Sequence, residues 1–250
     1  MTATAAEALR AGLAAFGPFF AIETHSAPAQ AQSPWQPLSP VFSSAAALAA
    51  RIDGVRSALA DAANCPSGAI EYRVAASVAQ LGLSARLIAP ALGSAVLGKP
   101  LPIDITSAWW IPGLGGPFRL SVPASALTAR PRQDSPAAGG ACGPLLRLLD
   151  GPIRSLVELT ASTGVSRRVL WGNVGSAVNG AAVMITAAAP GLASETAVVS
   201  SGVLRFPELA GSYRGRPVAS FRRQSCCLIY RIARNAPPEF CGDCVLSGRA

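Results

Sequence analysis

Four cysteines crowd the last 25 residues of this 250-residue chain: Cys226, Cys227, Cys241 and Cys244. They read CCLIYRIARNAPPEFCGDC, an adjacent pair, a connecting loop of 13 residues and a Cys-x-x-Cys knuckle. Any fold of this chain has to accommodate two pairs of sulfurs held close together by a short loop. Soft sulfur donors restrict the candidate occupants mainly to zinc, copper(I) or an iron–sulfur cluster. In the knuckle, Gly242 allows the tight curl that turns both thiolates toward one metal. The vicinal pair is the unusual half. Neighbouring cysteines hardly wrap one small tetrahedral ion, whereas a centre of two irons and their own sulfides is broader. The residues therefore tilt from zinc toward [2Fe–2S] and leave zinc open.

The surroundings of these cysteines are basic. The chain carries a formal charge of +8, and its one concentrated patch is Arg214, Arg216, Arg222, Arg223, Arg231 and Arg234. Such a patch offsets the negative charge of metal-bound thiolates and attracts anionic partners. Six cysteines would fit a disulfide framework in a secreted chain, but four of them lie within 19 residues while Cys65 and Cys142 stand apart. A vicinal disulfide is strained, and a chain of this length needs no covalent staples. The expected compartment is reducing and cytoplasmic. The apolar run at residues 11–22 follows Glu7 and a single Arg10 and is broken by Gly17-Pro18, which argues against a cleaved leader. His25 is the only histidine, which disfavours histidine-based hydrolase triads, a multi-histidine zinc site and bis-histidine haem. Neither a GxGxxG after a strand nor a Walker loop is present.

Along the chain the periodicity predicts a mainly α (α+β) protein. Helices are expected over residues 3–16, from Ser43 or Ser44 to Ala63, over 69–97 with breaks near Gly82 and Pro90, and over 144–162 with a kink near Gly151-Pro152. A last one runs from Arg167, capped by Ser166, to Ala188, with Trp171, Val174, Val178 and Val183 inward. Arg51 and Arg56 read as solvated. Residues 25–40 read as a proline-rich surface connector pinned by Trp35, and LPIDI with FRLSV (101–122) as a small hairpin. The stretch 130–143 reads as a loop carrying a free Cys142, and 196–221 as short extended pieces leading to the cysteine tail. The run 175–193 is uncharged but too weakly apolar for a membrane span, and fits a buried helix.

The tail segments RRQSCCLIYRI and FCGDCVL resemble the C-terminal signature of the FhuF-like ferric siderophore reductases. LGLSARLIAPALGSAVLG (81–98) and VLWGNVGSAVNGAA (169–182) are similar to upstream segments of that family. The likeness covers roughly residues 70–250 and is densest at the end. It implies a [2Fe–2S] cluster on Cys226, Cys227, Cys241 and Cys244, with Arg222, Arg223 and Arg231 as electrostatic neighbours. It also implies a helical body (1–213) carrying a cluster-binding segment (214–250). The loop between the cysteine pairs is longer than the family's by a few residues, through RNAPPE, a change that costs little in closure entropy. The implied activity is one-electron reduction of a ferric siderophore with an external donor, a ferredoxin or a reductase. The implied location is the cytoplasm, where a basic surface is compatible with the inner membrane face; no nucleic-acid partner is expected. Arg86 has two readings: an arginine that snorkels to the surface or pairs with Glu71 or Asp104, or a guanidinium at an anionic substrate. Asn173 is read either as satisfying a neighbouring carbonyl or as touching the tail or substrate. The competing functions are a four-cysteine zinc interaction or nucleic-acid module, and an iron–sulfur carrier or sensor without chelate turnover.

Overall fold

A computed structural model describes residues 2–26, 31–128, 140–232 and 240–246. Its helices are α1 (Thr2–Ala15), α2 (Pro40–Ser43), α3 (Ala45–Ala62), α4 (Tyr72–Val96), α5 (Gly143–Leu148), α6 (Arg154–Ala161), α7 (Arg167–Ala188), α8 (Ala193–Leu204) and α9 (Pro207–Ala210). The mainly α expectation holds. Ser44 caps α3 by accepting from Ala47 N at 3.3 Å, and Ser166 caps α7 by accepting from Val169 N at 3.4 Å, each meeting a backbone donor left open at a helix start.

The centre of the molecule is the packing of α4 against α7. Sequence periodicity predicts breaks in α4, yet it runs through Pro90 unbroken. Pro90 removes one helical hydrogen bond, and the helix persists because every residue from Arg86 to Val96 is buried. Tertiary packing, more than propensity, holds such a helix. Both α4 and α7 are long and apolar enough to cross a membrane by length and composition, and most of each apolar window is buried inside the protein. The kink near Pro152 is present as a wide π-type turn, Leu149–Ile153, between α5 and α6. Val183 faces outward at 41% exposure, contrary to its predicted inward face. The extended reading of 196–204 is also corrected: that stretch is α8, whose Val199, Val203 and Leu204 are buried.

The sheet is larger than a hairpin. Strands β1 (Glu23–His25), β2 (Gln36–Pro37), β3 (Trp109–Ile111) and β4 (Arg119–Pro123) take the order β1-β4-β3-β2, with β1 parallel to β4. The predicted first strand LPIDI is not one; β3 is the tryptophan stretch, where Trp109 stacks on His25 at 3.6 Å and Trp110 is buried edge-on to Phe118. Within the expected connector, the described residues supply β2, and Trp35 lies under Arg119 at 5.1 Å. Residues 27–30 of the connector and 130–139 of the expected loop lie outside the described residues. A second sheet pairs β5 (Tyr213–Arg214) with β6 (Arg222–Arg223), so strand β5 spans the predicted domain boundary at 213/214.

Two arginines read as solvated are engaged. Arg51 donates to Gly113 O at 2.8 Å beside the Trp110 ring, and Arg56 to Ile70 O at 2.8 Å. Arg86 fits neither of its two sequence readings. It is 2% exposed and donates to the carbonyls of Phe118 (2.6 Å), Phe19 (2.8 Å) and Ala21 (2.5 Å). Burial lowers its pKa to about 10, which leaves it charged at neutral pH. It is a clamp tying α4 to β4 and to the chain entering β1, with no free face for a substrate. Arg86→Met leaves three carbonyls without a donor and is expected to lower stability by about 3 kcal/mol or more. A denaturation midpoint equal to that of the parent would contradict the clamp.

Candidate metal centre

The cysteine tail sits on α7 because α7 offers it a surface without side chains. A Cβ on Gly172 would lie 2.1 Å from Ser225 Oγ, and one on Gly175 would lie 2.8 Å from Ser212 Oγ. These glycines let the chain on either side of the β5–β6 pair lie directly on the helix. Ser225 Oγ donates to Arg168 O at 3.1 Å, and Gln224 N to Ser212 O at 2.8 Å.

From there the vicinal cysteines enter. Cys227 is buried at 4% exposure and Cys226 is half-buried. Leu228 takes a left-handed backbone at φ 73°, and its N–H donates to Cys226 Sγ at 3.3 Å. The knuckle is fixed by Cys244 N donating to Cys241 O at 2.9 Å and by Leu246 N donating to Cys244 Sγ at 3.3 Å. Two contacts bring the halves together: Arg223 N donates to Asp243 O at 3.0 Å, and Arg222 Nη1 to Gly242 O at 2.7 Å.

The Cys227 and Cys241 sulfurs lie 3.7 Å apart. Metal–sulfur bonds of about 2.3 Å at tetrahedral angles set two sulfurs about 3.8 Å apart, so this pair has the spacing of two ligands on one metal. This pair takes one sulfur from each motif. Among the described residues no three His, Cys, Asp or Glu side chains converge on the position of one ion. The hydrogen bond shared by Cys227 and Cys241 draws the Cys227 thiol well below its ordinary range and pushes Cys241 up. Burial raises Cys226; Cys227 and Cys244 raise it further, and Arg223 opposes them.

A buried polar network supports the pair from inside. Asn173, fully buried on α7, donates from Nδ2 to Ser77 O (3.0 Å), Ser77 Oγ (3.1 Å) and Gln80 Oε1 (2.9 Å) of α4. Ser77 Oγ in turn donates to Cys227 O at 2.9 Å. Asn173 Oδ1 accepts from Arg223 Nη2 at 2.5 Å. Arg223 is 2% exposed, and its Nε and Nη1 have no hydrogen-bond partner among the described residues.

The sequence-predicted residues divide accordingly. Arg222, Arg223 and Asn173 meet the tail, Asn173 as a buried brace and not at a surface a substrate could reach. Arg231 pairs with Glu71 at 3.0 Å, so a carboxylate already offsets its charge. Arg86 belongs to the sheet side. Arg234 and the RNAPPE insertion lie outside the described residues. Cys65 and Cys142 are free thiols, and burial raises Cys142. Sequence reading missed Ser77 and Gln80, although Ser77, Gln80 and Ser84 form a polar row at helical spacing on an otherwise apolar α4. Comparisons with protein-family models, curated proteins and solved structures returned no match.

The seating of the tail is testable without any metal. Gly172→Ala is expected to swing the Ser225 hydroxyl off Arg168, and Gly172→Leu to displace the segment outright. Maleimide labelling of Cys227 should rise modestly in the first and at least tenfold in the second, with the helical circular dichroism retained. Labelling at the parental rate in both would count against this seating.

Proposed function

We propose that the chain is a one-electron reductase of ferric siderophore complexes, with Cys226, Cys227, Cys241 and Cys244 holding a [2Fe–2S] cluster. The observation that carries the cluster is Arg223. A guanidinium buried with two unpartnered nitrogens is costly unless negative charge lies against it. Its charge acts on the Cys226 and Cys227 thiols and favours their ionised forms. The donor set fits as well: four soft sulfurs, of which Cys227 and Cys241 pair across the two motifs, with backbone N–H groups directed at Cys226 and Cys244. Two metals held by pairs of thiolates ask less of a vicinal Cys226-Cys227 than one ion needing all four sulfurs.

When bound, such a cluster carries one electron at a potential set by nearby charge and hydrogen bonds. The chain's own residues hold it: α4 and α7 fix Cys227 through Ser77 and Asn173, and Arg223 offsets thiolate charge. The step from cluster to ferric chelate rests on the likeness of the tail, 81–98 and 169–182 to ferric siderophore reductases. Ferric iron is a harder cation than ferrous iron and is held more tightly by oxygen-rich chelators, so adding one electron loosens the complex. The electron comes from a separate ferredoxin- or reductase-type donor in a reducing, cytoplasmic setting.

Anaerobically purified protein is expected to be red-brown, with iron and acid-labile sulfide in equal amounts, two of each per chain. After reduction it should release ferrous iron from a ferric chelate, trapped by a ferrous-specific dye. Colourless protein with stoichiometric zinc would overturn the cluster; a coloured, reducible protein that releases no ferrous iron would leave a carrier or sensor. Cys227→Ser should lose most of the bound iron while the helices stay folded. Arg223→Met should shift the midpoint potential to more negative values, and an unshifted potential in a loaded variant would contradict the role given to Arg223.

A further inference from the structure

Beside the knuckle lies a cleft of about 400 Å³, within the range of small-molecule sites. Its floor is one stripe of α7, formed by Ser176, Asn179, Gly180 and Val183 at i, i+3, i+4 and i+7. The opposite wall is the segment 218–222, and the end is closed by Gly242 and Asp243.

Three observations on this cleft point to a ligand. The far wall is held in a strained shape: Val218 has φ 64°, an outlier for a β-branched residue, and its N–H is held by Asn179 Oδ1 at 2.8 Å. Strain of this kind gathers at functional sites. The floor is open, since a Cβ on Gly180 would meet nothing within 4 Å and Val183 is 41% exposed. The end wall is the Cys-x-x-Cys turn itself. Consecutive Cα atoms are about 3.8 Å apart, so Gly242 and Asp243 stand about one or two residue steps from both knuckle cysteines.

Resting on the reductase reading above, we propose that this cleft is where the ferric chelate docks, and that it takes an anionic catecholate or phenolate complex. The exposed Val183 on the floor gives apolar contact to aromatic chelating arms. Arg222 brings positive charge to the rim, where it is exposed while Asp243 beside it is half-buried. The concave shape and volume suit a small molecule, whereas a protein donor needs an interface of roughly 1,000 Å² or more. In the docked complex one electron converts ferric to ferrous iron with no bond of the chelator made or broken. The external one-electron donor replaces it.

The test uses gallium(III) tris-catecholate, a redox-inert stand-in of the same charge, titrated calorimetrically into the full chain purified anaerobically. Saturable binding is expected, weakened at least tenfold by Gly180→Trp and by Val183→Trp, both at exposed positions, with iron and sulfide content and circular dichroism unchanged. Neutral gallium(III) tris-acetohydroxamate should bind more weakly, and equal binding would overturn the anionic choice. A loaded chain that binds no gallium complex, or whose binding ignores both tryptophans, overturns the cleft alone. A parental chain without iron and sulfide overturns the reductase reading instead.

Discussion

A buried arginine joins the two parts of this molecule. Arg223 lies between α7 and the cysteine tail at 2% exposure, one nitrogen held by Asn173 Oδ1 and two without a hydrogen-bond partner among the described residues. Its backbone N–H holds the knuckle through Asp243 O, and its strand pairs with Tyr213–Arg214. A cation so placed is tolerable only where negative charge faces it. Its charge favours the ionised forms of the Cys226 and Cys227 thiols, which couples the tail to the helical body electrostatically. Strand pairing runs across the boundary near residue 213, and no seam divides them there.

The supports of this unit run inward. Gln80, Asn173, Ser77 and Cys227 are linked by buried hydrogen bonds of 2.9 to 3.1 Å, reaching from the α4–α7 contact to the cysteine backbone. Buried polar groups are stable only when satisfied, and a satisfied network fixes one arrangement. The glycines of α7 act from the other direction, letting Ser212 and Ser225 approach where side chains would hold them off. On the solvent side, the knuckle forms the end of an open cleft. The candidate metal centre therefore lies between a rigid polar interior and a cavity of small-molecule size.

Much of this was legible in the residues. The spacing of apolar positions located α3, α6 and α7, and Ser44 and Ser166 marked two of their starts, because helix caps are local chemistry. The cysteine pattern located the tail, because the spacing of its two pairs is also local. What stayed hidden depends on contacts distant in sequence. Pro90 looks like a break until all of its neighbours prove buried. The stretch 196–204, which reads as extended, is helix because Val199 and Val203 pack inward, and the parallel β1–β4 pairing joins residues nearly a hundred positions apart. Arg86 looked free to meet a substrate, and only the fold shows three carbonyls converging on it. The polar row of α4 was visible, but its meaning required Asn173 opposite.

The most direct measurement is electron paramagnetic resonance of the anaerobically purified, dithionite-reduced protein. A pair of irons bridged by sulfide in this sulfur cage gives a spin-half signal integrating to about one spin per chain, and Cys241→Ser abolishes or reshapes it. A fully folded chain with no such signal, its sulfurs occupied by zinc, would contradict the central claim.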